Sequence, residues 1–548
     1  MYNIAYECKG LSLKIYIRDS NRWQSSNGTM IRGCVFKNGC KLDEGALCAL
    51  LTNVKGLDHF IKKIKQLNGF FSVIYLRDNM IYIAVDHCRS IPLFYSVCKN
   101  RILISDDAYW IKDEIGETHK NIIAEEEFIL LGYVTGSDTL YSEIRQVQAG
   151  EVICITNEQG LLHVNEVKYT KYVHKYDNTI TADNIFERFD NVLANMVQRM
   201  VSFAGGRQIL LPLSGGLDSR LLALLLKKYR YDNVATFSYG NIRSEESIIS
   251  RTIAEGLKFP WFFVPYSIES WRTWFNTPEF QEYKRLAFQF SSCVHIQDFP
   301  AIWELKRKKN ISNDAVIMPG ICADLQAGSM SKDRRRDLYN SNQIDLEHVI
   351  ESIIDHHYVL FDWSDRRSGL YPYIRDRIAL FLGDLSDYPD AASAFESQFC
   401  AEKVAKYLVN SMRAYDYWIH DWWLPYWDTE FIKFWETIPL VYRIDKIFYD
   451  NYVYNLQNKI METSIGEIIG RDHSGWFWDL RKYIRRTFLD KADRVISPLM
   501  KKIFIGQNNE FGWFGIMNKH QFKSWYTGRE SIQSALVLEY VGRLTIEP

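Results

Sequence analysis

No CxxC pair occurs among the ten cysteines of this 548-residue chain. Thiols scattered without useful spacing make no disulfide framework and read as the reduced, mostly buried cysteines of a cytosolic protein. Neither charge is in excess, since 66 Lys and Arg stand against 67 Asp and Glu. That balance offers nucleic acid no basic surface and leaves no acidic tail. No uninterrupted apolar run reaches the roughly 18 residues of a membrane span. No charged-then-apolar segment marks a secretory leader, so a cytoplasmic location is expected. Internal repeats and low-complexity tracts are missing too.

What is present is globular. Hydrophobic residues make up 47% of the chain, enough for sizeable cores, and 548 residues are too many for one core, so two or more domains are expected. Aromatic residues reach 15% and cluster in "WFFVPY", "YDYWIHDWWLPYWD" and "SGWFWDL". These clusters read as core and helix-packing material.

The chain divides by pattern. Up to about residue 170, short runs rich in Ile, Val, Tyr and Phe ("KIYIR", "FFSVIYL", "NMIYIAVD", "RILISDD", "GEVICIT") read as strands. Turn signals at Arg77-Asp78-Asn79 and Lys99-Asn100 predict hairpins and stacked antiparallel sheets. The polar segment 173–183 reads as a linker, with Thr181 or Asp183 as N-cap of a helix over 184–201. Then "QILLPL", "LLALLLKKY", "VATFSYG", "SEESIISRTIAEGL" and "WFFVPY" alternate as strand and helix, which predicts a parallel sheet. "DAVIMPG" adds a strand, and from about 340 the chain reads as mainly helical, with one long stretch over 393–419.

"SGGLDS" (214–219) lies between the first of these strands and its helix. In open α/β sheets ligands sit beyond the carboxyl ends of strands. Gly215 and Gly216 permit tight geometry and close approach. Consecutive amides at a helix start cradle an anion. Ser214 and Ser219 add hydroxyls, and the carboxylate of Asp218 makes sense where a cation accompanies the anion; phosphate with Mg²⁺ satisfies all of these. The loop is too short for a Walker A motif and lacks its lysine, which disfavours kinase or GTPase chemistry.

The string resembles the PP-loop of ATP pyrophosphatases, which cleave ATP between its α and β phosphates. The surrounding motifs resemble one branch of them, the asparagine synthetase family, over almost the whole chain. "LNGFFSVIYL", "VDHCRSIPLFY", "LISDD" and "SDTLYSEIRQVQAGEVI" are similar to its class II glutamine amidotransferase domain; "SGGLDS", "TFSYG", "SEES", "MPGICAD" and "LPYWDTEFIKFWETIP" are similar to its synthetase domain. The resemblance implies an α+β Ntn-hydrolase-like sandwich over 1–172, a linker over 173–183, and an α/β PP-loop (adenine nucleotide α-hydrolase-like) synthetase domain over 184–548 with a mainly helical C-terminal region.

It also implies roles. ATP would lie against Leu213, Ser214, Gly215, Gly216, Leu217, Asp218, Ser219, Phe237, Ser238 and Gly320. Asp218 and Asp324 would hold Mg²⁺ on the departing pyrophosphate. Glu245 or Glu246 matches an acidic family position, although a solvated, capped helix start explains that pair equally well. Lys446 falls near the family lysine that stabilises phosphate charge, with Arg413 as a rival cation. A substrate carboxylate would be adenylated, and ammonia or an amine would then displace AMP.

Departures qualify the resemblance. "MYNIA" aligns with the family's Met-Cys-Gly-Ile-Ala start, so Tyr2 stands where the N-terminal cysteine nucleophile belongs. A phenol with pKa about 10 is a poor nucleophile near neutral pH. Its bulk should also keep Met1 in place, and exposing Cys8 instead would need seven residues trimmed. Asn68 and Gly69 at the oxyanion position, and Asp86, then read as inherited structure. No glutaminase activity is expected, and ammonia could come from a separate glutaminase. Ile321 replaces the glutamate that asparagine synthetases carry after the first glycine, which puts aspartate in doubt as substrate and leaves that corner of the pocket neutral. The sequence looks more like the branch found among bacterial surface-polysaccharide enzymes, which favours a sugar uronate. Alternatives are asparagine synthesis from ammonia, ring closure like that of β-lactam synthetase or lasso-peptide cyclase, and a non-catalytic scaffold. An RNA-acting PP-loop enzyme would need clustered basic residues, and "KDRRRD" (332–337) reads as a solvated loop.

Overall fold

The structure is a computed structural model that describes residues 2–8, 11–77, 80–98, 100–158, 161–331, 335–340, 344–364, 367–461, 512–525 and 531–546. Both predicted turns and "KDRRRD" fall partly outside these residues, and "SGWFWDL" falls wholly outside them. The chain forms two compact units: residues 1–206, 283–298 and 321–446 make the first, and 207–282, 299–320 and 447–548 the second.

Up to residue 168 the first unit carries twelve described strands, with helices among them: β1 Tyr2–Cys8, β2 Leu11–Ile17, β3 Gln24–Ser26, β4 Thr29–Lys37, β5 Cys40–Leu42, β6 Asn68–Arg77, β7 Met80–Val85, β8 Phe94–Cys98, β9 Arg101–Ser105, β10 Arg145–Gln146, β11 Glu151–Glu158 and β12 Leu161–Lys168. One sheet has the order β1-β2-β9-β8-β10; the other runs β12-β11-β7-β6-β4-β3, with β5 beside β4. The expected hairpins form at β6–β7 and β8–β9. The pairing of β2 with β9 is parallel, contrary to the antiparallel expectation. Over 80 residues separate the two strands, and a connection that long can return the chain in the same direction.

Strand β6 shows why its sequence is a continuous apolar run rather than an alternating one. Phe71, Val73 and Tyr75 pack with Leu47, Leu51, Phe60 and Ile64 of the helices Glu44–Leu51 and Leu57–Ile64. Phe70 and Ile74, on the other face, are buried as well. A sheet covered on both faces selects apolar residues at every position.

The polar segment 173–183 is irregular but pinned. Lys175 and Asp177 donate backbone N–H groups to the carbonyls of Glu436 and Thr437. The helix that follows is Ile185–Ala204, and neither Thr181 nor Asp183 caps it. Asn184 is the cap residue, and its side chain accepts the Thr181 N–H instead, closing the turn ahead of the helix. After residue 340, regular structure among the described residues is helical apart from the two-residue strand Asp421–Trp422. The stretch 393–419 is not one α-helix. It passes from Ala391–Phe399 through a π-helical segment, Cys400–Leu408, and the 3₁₀ turn Val409–Ser411 into Met412–Tyr417. The widened turns put Glu402 and Lys406 on the buried side, 2.6 Å apart, bracketing the backbone N–H and C=O of Gly136.

The second unit holds the predicted parallel sheet. Strands β13 Ile209–Pro212, β14 Val234–Gly240, β15 Trp261–Pro265 and β16 Val316–Ile317 lie in the order β15-β14-β13-β16, each neighbouring pair parallel. Leu221 to Leu226, in the helix Leu217–Lys228, are completely buried.

Asp416 is the most heavily paired carboxylate of the first unit. Arg22 and Arg32 each reach its Oδ1 at 2.6 Å, Arg413 lies 2.9 Å from Oδ2, and Trp422 Nε1 donates at 3.1 Å. Burial alone would raise this carboxyl; Arg32, Arg413 and Arg22 hold it well below the usual carboxylate range. A carboxyl depressed on folding adds stability that is complete above its unfolded value, about 3.9, and is lost as pH falls below it. Asp416→Asn, which strands buried guanidinium charge, should destabilise the protein by about 3–5 kcal/mol at neutral pH. Urea denaturation checks this, and the gap between wild type and variant should shrink below about pH 4.

Candidate active site

In the second unit, β13 ends at Pro212 and the chain turns through 213–216 into the helix Leu217–Lys228. Leu213 is fixed from both sides, its N–H donating to Phe237 C=O and its C=O accepting from Ser238 Oγ at 2.6 Å. Phe237 is fully buried. Ser219 Oγ accepts the Ser214 N–H and lies 3.1 Å from Ser214 Oγ; the Gly216 N–H donates to Ser214 Oγ at 3.2 Å. Arg220 donates to Gly215 C=O at 2.9 Å, closing the turn from below. No side chain caps the helix at Gly216, whereas Ser244 and Ser267 cap the helices that they begin. Tyr449 Oη donates to Asp218 Oδ1 at 2.9 Å.

The glycines are needed for space, not for unusual dihedrals. None of Gly215, Gly216 and Gly320 has a positive φ. A Cβ on Gly215 would lie 2.9 Å from Glu246 Cα, and one on Gly320 only 2.6 Å from Ser219 N and 2.9 Å from Asp218 C. Gly216 meets nothing closer than Ser214 Oγ at 3.3 Å. Of the two acidic candidates, Glu246 is therefore the one packed against the loop. Both begin the helix Glu245–Leu257, whose cap is Ser244. The start of the helix Leu217–Lys228 is thus free of any side-chain cap, and uncapped helix starts are where anionic oxygens bind in general.

In the first unit, Asp324 lies in the first turn of the short helix Ala323–Gln326, and Lys446 ends the turn Ile444–Lys446. The two segments are tied together. Arg443 Nε donates to Gln326 C=O at 2.8 Å, and the Asp445 N–H donates to Ser331 Oγ at 2.7 Å. Burial works against the charge of Arg443, but Glu396 at 2.6 Å more than restores it. Arg413 belongs to another cluster, bonded to Asp416 and to Ser90 C=O.

One basic side chain, Lys403, acts electrostatically on Cys322, the residue after Ile321. Lys403 and Arg335 lie within electrostatic reach of one another, and Lys403 also of Cys322, the cap residue before Asp324. Burial lowers the Lys403 ammonium and the Cys322 thiol acts against that shift. Arg335 bonds to His356 Nδ1 at 2.8 Å. Sequence reasoning missed both cations because nothing local links 335 or 403 to 321–324.

The amidotransferase-like positions of the first unit serve its architecture. β1 pairs with β2 from Tyr2↔Ile17 to Cys8↔Leu11. Asn68 Nδ2 donates to Asp428 Oδ1 at 3.1 Å, and its Oδ1 accepts the Thr429 N–H at 2.9 Å. Gly69 has φ +145°, and a Cβ there would lie 2.5 Å from Cys34 C=O. Asp86 is buried and accepts the backbone N–H groups of Phe71, Cys88 and Ser90. Among the described cysteines, burial pushes the Cys34 thiol up to about 12 and raises those of Cys48, Cys88, Cys154 and Cys400. A cavity of about 950 Å³ in the same unit is lined by Gln398, Glu402, Trp427 and Thr429 among others, and by none of the predicted site residues.

Residues 188–269, which contain the loop, match the family model described as asparagine synthase. That match likens this segment, well under half of the chain, to the asparagine synthase family. The chain is also similar to two solved structures. One is glutamine phosphoribosylpyrophosphate amidotransferase from B. subtilis complexed with ADP and GMP, at 11% identity over 54% of this chain and 62% of that one, with a TM-score of 0.19. The other is described as the allosteric regulatory enzyme of purine biosynthesis, at 11% identity over 54% of this chain and 55% of that one, with a TM-score of 0.18. This chain thus spans less than two thirds of either, and likeness at that level carries no argument. Comparison with curated proteins returns no match. No helix among the described residues is long and apolar enough to cross a membrane, and no group of three or more His, Cys, Asp or Glu side chains there is arranged to hold a metal ion.

The loop geometry predicts a sharp contrast between two glycines. Gly320→Ala, with backbone at 2.6 Å, should cost about 1–3 kcal/mol, whereas Gly216→Ala, which meets only a hydroxyl, should cost under about 1 kcal/mol. Urea midpoints of the two variants measure the difference.

Proposed function

We propose that the chain adenylates a carboxylate with ATP and transfers ammonia to it, with a sugar uronate as the carboxylate. The observation that carries the ATP reading is the uncapped helix start at Gly216, crossed closely by Gly320 and bordered by Asp218. On this reading 213–219 is a PP-loop, the backbone at Phe237 and Ser238 meets adenine, and the loop amides hold phosphate oxygens. Asp218 and Asp324 would hold Mg²⁺, which adds positive charge at the departing pyrophosphate. Two carboxylates and few other protein ligands suit an ion that keeps phosphate oxygens and water in its shell. Lys446 adds charge stabilisation at the phosphates.

The steps balance simply. A carboxylate oxygen of the substrate attacks the α-phosphorus, and the bond to pyrophosphate breaks. Ammonia then attacks the acyl carbon, AMP leaves with the C–O electron pair, and the ammonium nitrogen loses a proton to give the amide. On this reading 1–172 is an amidotransferase-like domain without glutaminase activity, 173–183 is the linker, and 184–548 is the synthetase domain. The first would be kept for architecture.

Lys403, within electrostatic reach of Cys322, and the uncharged Ile321 support an anionic substrate without an ammonium, which favours a uronate over aspartate. The test is ATP–pyrophosphate exchange with a UDP-hexuronate beside aspartate. Uronate should support exchange, with AMP and pyrophosphate as products, and Asp218→Asn and Asp324→Asn should each lower it by orders of magnitude. ADP and phosphate as stoichiometric products would sink the ATP reading, and exchange with aspartate alone would return the protein to asparagine synthesis.

The nitrogen source is tested separately. With Tyr2 in the nucleophile position, purified protein should release no glutamate from glutamine. Glutamate release abolished by Cys8→Ala would instead reveal an exposed Cys8 nucleophile.

A further inference from the structure

We propose that Arg443 is a positioning residue that holds the Asp324 helix and the Lys446 turn as one rigid clasp, an inference resting on the reading that these two side chains work on ATP. Arg443 is completely buried, and its guanidinium is shared three ways. Nη2 meets Glu396 at 2.6 Å, Nη1 lies 2.6 Å from His174 Nε2, and Nε donates to Gln326 C=O at the end of the Asp324 helix. Glu396, also wholly buried, accepts from the Tyr339 hydroxyl, and His174 Nε2, which can bond to Arg443 or to Glu396 but not to both, lies 2.9 Å from it. The cation is thus bolted to the Ala391–Phe399 helix and reaches out to a single carbonyl of 321–331.

A second tie joins the same two segments. Asp445 N–H donates to Ser331 Oγ, which itself donates to Gly328 C=O at 2.7 Å. The backbones cross so closely that a Cβ on Gly328, at φ +98°, would lie 2.2 Å from Arg443 C=O.

Three non-glycine residues of the clasp occupy the left-handed region: Cys322 at φ 68°, Asp445 at φ 55° and Lys446 at φ 61°. Such conformations persist where the surroundings over-determine them, and they concentrate where side-chain direction matters. Two of them flank the places where Asp324 and Lys446 leave the backbone. A buried ion pair contributes little net stability compared with an apolar isostere, so three-way sharing of one guanidinium is better explained by geometry than by fold stability. Lysine at 443 can meet Glu396 but cannot also bridge Gln326 with a planar fork.

The experiment uses the full chain with Arg443→Lys, Ser331→Ala, Lys446→Met and the Arg443→Lys/Lys446→Met double variant. Arg443→Lys should lower kcat for ATP–pyrophosphate exchange about 100-fold, the loss typical of a misplacement near 1 Å, with KM for ATP changed under about threefold. Ser331→Ala, which removes the second tie without stranding a buried charge, should lower kcat in the same direction by less. In the Lys446→Met background the Arg443→Lys loss should shrink to the part that acts through Asp324; losses that multiply in full instead would overturn the proposal. Backbone hydrogen exchange reads the clasp without turnover. Either Arg443→Lys or Ser331→Ala should speed exchange in 323–331 and 444–446 together and leave the Ala391–Phe399 helix protected. Loosening of one segment alone, or of the whole unit, would overturn the clasp. Coupled loosening in a protein with no exchange activity on any carboxylate would uphold the clasp and remove the catalytic reading instead.

Discussion

A charge taken into the protein interior must find a partner there, and in the first unit the partners come from opposite ends of its sequence. Asp416 draws Arg22 from the 3₁₀ turn Ser20–Arg22, Arg32 from β4 and Arg413 from its own helix. Asp428 takes Arg199 at 2.5 Å and Asn68 at 3.1 Å. Arg413 then donates to Ser90, beside the Asp86 turn. These pairings make the amidotransferase-like strands and the helical region after 340 one interdependent body. They also give Asn68, Gly69 and Asp86 a reason to be as they are that involves no oxyanion. Asn68 buttresses the helix that begins after Asp428, Gly69 lets β6 pass the Cys34 carbonyl, and Asp86 gathers three backbone donors that the turn would otherwise leave unpaired.

Legibility in the sequence followed the range of the forces involved. The strand–helix alternation over 208–266 could be read because each element's pattern is set by its immediate burial. β13, β14 and β15 pair in parallel as that alternation required. The parallel β2–β9 pairing could not be read, because register between distant strands is decided by what fills the space between them. Nor could the π-helical segment Cys400–Leu408, since its residues have ordinary helical propensity and only the buried Glu402–Lys406 pair around Gly136 calls for wider turns. The cap of the Ile185–Ala204 helix failed for a smaller reason. Asn184 offered a third polar side chain in the same turn, and it spends its carbonyl on Thr181 N–H.

The loop at 214–219 separates two kinds of glycine that look alike in a sequence. Gly215 and Gly320 are required because backbone crosses where a Cβ would stand. Gly216 ends the loop where no side chain caps the helix. A side-chain cap there would occupy the amides that make a helix start useful to an anion; the helices that begin after Gly56 and Asn184 lack such a cap too, so it is the open start together with the close crossing at Gly320 that sets this loop apart.

Arg443 was invisible from sequence for the same reason that Lys403 and Arg335 were. Its meaning lies entirely in Glu396, His174 and Gln326, none of which is close to it along the chain. Both clusters nonetheless converge on one short segment. The Arg443 guanidinium bonds the last residue of the Asp324 helix, and Lys403 acts electrostatically on the cap residue at its start, so two residues remote in the sequence bear on one four-residue element.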